Sequence, residues 1–245
     1  MAVRACNTRI LVNEYDLSGT TNGITVGGAV DTIDYGVLQT CTTLRIPTSP
    51  AITITHNGYF NGPSAGAIEN ELYTDLGTTG IYVTAIADTA GAIPVAYTLD
   101  TCWNETLVLD GPVAGLIACN GSWVTGTAGS QCYRGYQVYR GTLSATGGAT
   151  GIDFGAAGTA GGKAYLHVTT ITGGATDATI DVESDTVSNF ASAASEGTFT
   201  FSAVGAYTID LADTVNRYVR VNCTDLGTAT SFAVVCIVAL SGVTY

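Results

Sequence analysis

Charge is the scarcest property of this chain. Only 11 % of its 245 residues are charged, against about 25 % in an ordinary soluble domain. Hydrophobic residues make up 46 %, which is enough to fill a sizeable core and argues against a disordered chain. Much of the surface that a lone subunit would show to water is therefore uncharged, and this favours a protein that is covered by its neighbours.

Basic residues are especially few, with eight against twenty acidic residues, and Lys163 is the only lysine. Proteins that hold nucleic acid by releasing its counterions need several clustered Lys or Arg side chains. The composition therefore disfavours a DNA-gripping protein. An acidic chain can still line a passage through which nucleic acid slides, because like charges repel the polyphosphate backbone.

Long apolar runs are missing as well. The first twenty residues hold no apolar stretch long enough for a signal peptide, so we expect synthesis in the cytoplasm. The longest apolar run, "FAVVCIVAL" at 232–240, is about half of what a membrane helix requires. We therefore expect no membrane partner.

The motifs of common active sites are also absent. The seven cysteines show no CxxC or Cys/His ligand spacing, and the chain has no GxSxG or HExxH motif. His56 and His167 lie far apart on strand-like segments, which is typical of polar strand residues. Asp181, Glu183 and Asp185 alternate along one strand, as on a solvated face. The sequence predicts no catalytic residues, no metal, no cofactor and no enzyme activity.

Short segments rich in Thr, Val, Ile and Tyr, punctuated by Gly, Asn and Asp, predict an all-β fold. One segment has helical spacing instead, because Ile68, Leu72 and Leu76 recur four residues apart. Ser64 can cap its start and Gly77 can end it. We predict one short helix at about 65–76.

The segment 141–162 holds eight glycines and marks a break in composition. We predict a first β domain at 1–142, a Gly-rich linker and first strand at 143–162, and a second domain at 150–245. The strands of this second domain are spaced as in an Ig-like antiparallel β-sandwich.

The last two strands of the second domain are expected to pair about a turn near 227–230. That pairing would place Cys223 roughly opposite Cys236, which makes the two a candidate disulfide. The alternative of two reduced, buried thiols stays open, since cytosolic proteins usually keep their thiols reduced.

Arg217 and Arg220 stand out in the stretch "TVNRYVRVNCT" at 214–224. They are three residues apart, so on a strand they point to opposite faces and cannot both follow one phosphate track. We expect structural roles for both. Arg220 would pair with Asp181 or Asp210 on a neighbouring strand, and Arg217, just before the strand, would hold a loop carbonyl.

Two groups of segments resemble a known family. "RILVNEYDLSGTTNGITV", "AITITHNGYFNG" and the helix "AIENELYTDLG" resemble the N-terminal domain of major tail tube proteins from phages with long non-contractile tails. The second half, from "GIDFGAAGTAGGKAYLHVTTITGG" to "DTVNRYVRVNCTDLGTATSFAVVCIVAL", is similar to the C-terminal β-sandwich that many of these proteins carry outside the tube.

This resemblance implies a β-sandwich or barrel with one flanking helix in the first domain. It also implies homohexameric rings that stack into a tube in the virion tail and conduct DNA during ejection without binding it specifically. Tail tip, terminator and tape measure proteins are the implied partners. Glu14, Asp16, Asp31 and Asp34 are candidates for acidic residues that face the lumen.

A different interpretation is a virion decoration or adhesin module. Trp103, Trp123 and the tyrosines could stack on sugar rings of a host-surface glycan, with Tyr165, Tyr207 or Tyr218 as the contact in the second domain. Aromatic residues serve equally in β-sandwich cores and in subunit interfaces. The sequence favours a role of these aromatic residues in cores or interfaces over glycan binding.

Overall fold

The computed structural model describes residues 8–30, 51–62, 66–87, 93–112, 115–126, 131–174, 177–212 and 214–241, together with the backbone of two strands at 32–37 and 42–47. Within these ranges the chain forms eighteen strands and one α-helix. The prediction of an all-β fold with one short helix is confirmed.

The strands are numbered in chain order. They are β1 (Arg9–Val12), β2 (Tyr15–Asp16), β3 (Thr21–Ala29), β4 (Thr32–Val37), β5 (Thr42–Pro47), β6 (Ala51–Tyr59), β7 (Thr79–Ala87), β8 (Val95–Asp110), β9 (Ala118–Val124), β10 (Cys132–Leu143), β11 (Gly147–Gly148), β12 (Ile152–Asp153), β13 (Gly162–Thr172), β14 (Ala178–Asp185), β15 (Ala194–Phe201), β16 (Gly205–Leu211), β17 (Tyr218–Asp225) and β18 (Ser231–Leu240). A 3-10 helix (Leu17–Thr20) follows β2, and the helix α1 (Ile68–Asp75) lies between β6 and β7.

The chain divides into two compact units. Unit 1 consists of Met1–Gly19, Tyr82–Thr98 and Tyr133–Tyr245, and unit 2 of Thr20–Ile81 and Leu99–Cys132. The composition break at 141–162 lies inside unit 1. The division into folding domains at 1–142 and 150–245 stays a prediction.

Unit 1 contains two antiparallel sheets that share one hydrophobic core. One sheet has the order β16-β13-β18-β10-β8-β7-β1-β2, and its first four strands contribute to this core; the other has the order β11-β17-β14-β15 with β12 also paired to β17. Buried side chains from both sheets, among them Leu166, Val182, Val221 and Val234, belong to a single cluster. Alternation along each strand sends every second residue into this cluster, as in a β-sandwich.

The apolar run at 232–240 is explained by burial on both faces of β18. Phe232, Val234 and Cys236 point into the cluster shared by the two sheets. Val235 and Ile237 point the other way, into a second cluster with Leu11, Ile86, Ala96 and Tyr165. A strand covered on both sides has no polar face, so its sequence is continuously hydrophobic.

The two last strands do not pair with each other, so this expectation is wrong. β17 pairs with β14, whereas β18 pairs with β10 and β13. The Gly-rich segment before β13 supplies the short strands β11 and β12, which pair with β17. A Cβ atom at Gly148 would come within 2.6 Å of Arg220 Cζ, so a larger residue there would displace the guanidinium.

Unit 2 is built on an antiparallel sheet with the order β3-β6-β9-β8. Strands β4 and β5 form a separate two-stranded ladder from Thr32↔Pro47 to Val37↔Thr42. Because each neighbour in the sheet is antiparallel, the end of β6, the start of β9 and the end of β8 lie together, with Ala118 opposite both Tyr59 and Asp110.

Helix α1 packs against this sheet in unit 2. It starts at Ile68, and its first backbone amide donates to Oδ1 of Asn61 at 3.1 Å. Ser64, the predicted cap, lies outside the described residues. Leu72 is buried over Gly121, where any Cβ atom would overlap it. Gly77 has a φ of 73°, the left-handed conformation that ends helices.

Among the described residues, no helix has the length and apolar character needed to cross a membrane.

Candidate assembly surface

Large hydrophobic side chains that face solvent are concentrated in unit 2. Of the thirteen that are exposed in the described part of the chain, two, Val187 and Val204, belong to unit 1. The eleven in unit 2 are Val26, Val30, Tyr59, Phe60, Tyr73, Leu76, Trp103, Val108, Leu109, Leu116 and Ile117. Single exposed hydrophobic residues are normal, but a concentration of them marks an interaction surface.

Six of the eleven meet at one end of the unit 2 sheet, which we name the apolar end. They come from the end of β6, the end of β8 and the segment before β9, and they are Tyr59, Phe60, Val108, Leu109, Leu116 and Ile117. The amide of Phe60 donates to the carbonyl of Ile117 at 2.9 Å, which ties the two segments together. Their side chains are 37–69 % exposed.

Unit 2 also has very few positive charges. Its sequence ranges hold eight acidic residues and a single basic residue, Arg45. Nucleic acid binding by counterion release needs several clustered cations. Unit 2 has a single basic residue in its sequence ranges for such binding.

Strand β3 lies at an edge of the unit 2 sheet. Its one hydrogen-bonded neighbour among the described strands is β6. Residues 25–30 are exposed, and the strand, "TNGITVGGA", carries no charge and no proline. Proteins that stay monomeric usually protect such an edge with Lys, Pro or a bulge. The only register shift of β3 lies at its beginning, between Thr21 and Gly23.

The four acidic residues proposed for a lumen have different surroundings. Glu14 is partly exposed. Asp16 forms an ion pair with Arg9 at 2.7 Å, so its charge is largely compensated. Asp31 lies outside the described residues, and Asp34 lies on β4, whose side chains are not described. Their orientation towards a lumen stays a prediction.

Both arginines of the 214–224 stretch bind carboxylates, but not the expected groups. Arg217 forms two hydrogen bonds of 2.6 Å with Asp153 instead of holding a loop carbonyl. These bonds hold the pKa of Asp153 below its usual range. Arg220 pairs with Glu183 at 2.7 Å, and its guanidinium lies 4.4 Å from the centre of the Phe190 ring.

The strand register explains why neither proposed partner of Arg220 is used. Glu183 lies directly opposite Arg220, whereas Asp181 lies opposite Asn222. Asp181 instead accepts a hydrogen bond from the hydroxyl of Thr198. Asp210 lies on β16, where it pairs with Lys163 at 3.2 Å.

Cys223 and Cys236 are both buried and free. They are not cross-strand neighbours, since their strands belong to different sheets of unit 1. Cys223 is opposite Ile180, and Cys236 is opposite Leu166. Burial raises the pKa of both thiols, to about 12 for Cys236, so neither is a reactive thiolate near neutral pH.

The two histidines are buried in the units to which they belong, and each has a threonine hydroxyl beside its Nε2. In unit 1, His167 Nδ1 donates to the carbonyl of Asn13 at 2.6 Å, and its Nε2 lies 2.8 Å from Thr84 Oγ1. In unit 2, His56 Nε2 lies 2.8 Å from Thr21 Oγ1. Burial lowers the pKa of each imidazole to about 4. Both are therefore neutral at pH 7.

Asp185 has a role that strand periodicity did not predict. It is 2 % exposed and accepts hydrogen bonds from the backbone amides of Val187 and Ser192. These bonds lower its pKa and fix the loop after β14. An aspartate at the end of a strand, followed by Thr and Ser, is the available sequence signal for such a loop.

Of the three tyrosines proposed for glycan contact, Tyr165 is buried, whereas Tyr207 and Tyr218 are partly exposed. Tyr165 is 1 % exposed and packs in a hydrophobic cluster of unit 1. The hydroxyl of Tyr207 donates to the carbonyl of Ala203 at 2.8 Å, and Tyr218 lies under the guanidinium of Arg217 at 5.3 Å. Within the described ranges, no three His, Cys, Asp or Glu side chains are grouped to hold a metal ion.

No protein-family model and no curated protein matches the chain. Among solved structures, a chain from the sheath/tube terminator of an extracellular contractile injection system is similar, with 10 % identity and a TM-score of 0.40 over 55 % of this chain and 96 % of that one. A chain of the native gene transfer agent virion has 12 % identity and a TM-score of 0.38 over 52 % and 96 %. A chain of the anti-feeding prophage cap has 12 % identity and a TM-score of 0.37 over 51 % and 87 %. Likeness of this size does not establish a shared family.

Proposed function

We propose that this chain is a structural protein of a phage-type virion tail. Six copies form a ring, and the rings stack into a tube through which DNA passes during ejection. The protein makes and breaks no covalent bonds, and its partners are further copies of itself and the tail tip, terminator and tape measure proteins. Two observations support this proposal: the resemblance of the sequence to tail tube proteins, and the exposed hydrophobic surface of unit 2.

The observation that carries the proposal is the concentration of exposed hydrophobic side chains on unit 2, eleven of the thirteen in the described residues. Exposed apolar surface favours burial by roughly 25 cal/mol per Å². Few charges oppose this burial, since the unit has only nine charged residues. A tube wall built from repeated copies would cover such a surface.

The edge strand β3 supports ring closure. An unprotected edge offers a row of backbone donors and acceptors to a strand of another copy. Contacts between different patches of identical subunits are head-to-tail. They close into a ring when the rotation from one copy to the next is a whole fraction of a full turn. We infer that β3 continues the sheet of a neighbouring copy within the ring.

The charge of the chain supports passage of DNA without binding. The formal net charge is −12 at pH 7, and like charges keep the polyphosphate from adhering to a wall. Of the proposed lumen residues, Asp16 already has a cationic partner in Arg9. Glu14, Asp31 and Asp34 remain the candidates for this repulsion.

Negative-stain electron microscopy across a concentration series tests this function. We expect rings with a central hole, and stacked rings at higher concentration. A Val26→Lys variant places a charge on the uncharged edge strand, and it should lower the fraction of closed rings. Val204→Lys in unit 1 is the matched control, since both valines are similarly exposed, 37 % and 42 %. Isolated particles at every concentration would contradict the proposal.

A further inference from the structure

We propose that the apolar end of unit 2 is the surface through which one ring contacts the next, so that its occupant is a second copy of this chain. The inference rests on the proposed function and names the contact that turns rings into a tube. It concerns the described residues Tyr59, Phe60, Val108, Leu109, Leu116 and Ile117.

The direction of the strands places the apolar end between rings. If neighbouring copies in a ring are joined through sheet edges such as β3, hydrogen bonds run around the ring and strands run along its axis. The ends of the strands then face the rings above and below. The ends of β6 and β8 and the start of β9 lie at the same end of the sheet, and they carry the apolar end.

The size of the apolar end fits a protein contact. An aromatic side chain has roughly 150–250 Å² of surface, and the side chains of Val, Leu and Ile are smaller. Six such side chains at 37–69 % exposure leave on the order of 500 Å² uncovered, near the top of the range of about 300–600 Å² for the largest patch on a monomer. A stable contact buries about 800 Å² on each partner. The apolar end would supply more than half of that.

The opposite end of the same sheet offers a different surface for the contact. There the last part of β3 is exposed, as is Val30 directly after it at 52 %, and Trp103 lies across the sheet on β8 at 39 %. When the two ends of a sheet differ, one end of a copy can bind the opposite end of the next copy. Such a head-to-tail contact repeats along a filament. A contact with an unrelated protein would require only one of the two ends.

Charge favours a second copy of the chain over a membrane or a nucleic acid. Glu105 and Asp110, the charged residues of the last part of β8, are both acidic and exposed. The cytoplasmic membrane surface and nucleic acids are both negative and attract basic segments. An apolar end flanked by carboxylates therefore fits an uncharged protein surface.

The test compares the full-length wild type with two double variants by negative-stain electron microscopy and sedimentation. Val108→Glu/Leu116→Glu alters the apolar end, and Val187→Glu/Val204→Glu makes the same kind of change at exposed residues of unit 1. All four side chains face solvent, so we expect both variants to fold, as checked by circular dichroism and urea unfolding. The apolar-end variant should form single rings and need at least about tenfold more protein to form stacked rings. The unit 1 variant should stack as the wild type does.

Each outcome distinguishes this inference from the proposed function. Single rings from the apolar-end variant beside tubes from the wild type would support the inference. Tubes from that variant at the wild-type concentration would overturn it. A folded variant that forms no rings would also overturn it, because the apolar end would then join copies within a ring. A wild type that forms no rings would refute the proposed function itself.

Discussion

The pH dependence of unfolding should reveal the buried histidine of unit 1. His167 is fully buried on β13, donates from Nδ1 to the carbonyl of Asn13, and accepts at Nε2 from the hydroxyl of Thr84. Thr84 Oγ1 lies 2.9 Å from Thr98 Oγ1, which donates to it. The neutral imidazole is thus fully hydrogen-bonded, and protonation would put a charge in a dry site.

The sign and size of the effect follow from the pKa. Burial lowers the pKa of His167 from its ordinary 6.5 to about 4, so the unfolded chain binds a proton more readily than the folded one. The stability from the neutral imidazole is fully present above pH 6.5 and is lost as the pH falls towards 4. At 1.36 kcal/mol per pKa unit, the whole loss is about 3 kcal/mol, of which about 2 kcal/mol falls between pH 7 and pH 5.

The assay is urea unfolding at pH 7.0, 6.0 and 5.0, at a protein concentration below that of assembly. His167→Gln removes the titrating group and keeps a polar side chain at the site. The free energy of unfolding of this variant should fall by about 2 kcal/mol less than that of the wild type between pH 7 and pH 5. His56→Gln should show a difference of the same sign, because burial lowers that pKa to about 4 too.

Parallel pH curves for the wild type and His167→Gln would refute this reasoning. They would mean that His167 has the same pKa in the folded and unfolded chain, so that water reaches the imidazole. The fully buried position of His167 on β13 would then be wrong.

Three further predictions concern packing, ion pairs and thiols. Gly135→Ala should lower the free energy of unfolding by about 1–3 kcal/mol in a urea titration, because the new Cβ atom would overlap the backbone of β18. Gly19→Ala, where the new Cβ atom would meet open space, should change the free energy of unfolding little. Arg220→Ala should cost about 1–3 kcal/mol in the free energy of unfolding, since it removes the cationic partner of the mostly buried Glu183, which keeps its hydrogen bond from Asn222. Arg217→Ala, whose ion pair is exposed, should give no measurable change in the urea midpoint. Ellman's reagent should not label Cys236 in the native protein, because the thiol is free and buried with a pKa raised to about 12. Labelling of Cys236 in the folded protein would contradict its burial.

Local patterns in the sequence predicted the kind of structure well. Alternation and turn residues indicated the β fold, and spacing by four indicated the helix at Ile68–Asp75, because both depend on neighbours in the chain. Gly77 was recognisable as the helix stop from its residue type alone.

Pairings between distant segments were not predictable in this way. β17 pairs with β14, about forty residues earlier, and not with the adjacent β18, because both strands have a buried face and periodicity does not select the partner. The same register decides that Arg220 meets Glu183 and not Asp181. A shift of two residues along β14 preserves the face of the side chain and changes only the partner.

The apolar end was not predictable from alternation either. Val108 and Leu109 are adjacent on β8 and both exposed, which happens only where neither face of a strand is covered. The sequence signal for this is a pair of consecutive hydrophobic residues close to glycine and proline, as in "LVLDGPVAGLI" at 107–117. A strand buried on both faces carries the same signal, so only the structure separates the two cases.

The mass of the assembled particle in solution tests the central claim most directly. Six copies of the 25.0 kDa chain have a mass of about 150 kDa. Mass photometry across a dilution series of the full-length protein should show a species of this mass, with multiples of it at higher concentration. A single species of 25 kDa at every concentration would contradict assembly into rings, and with it the proposed tail tube.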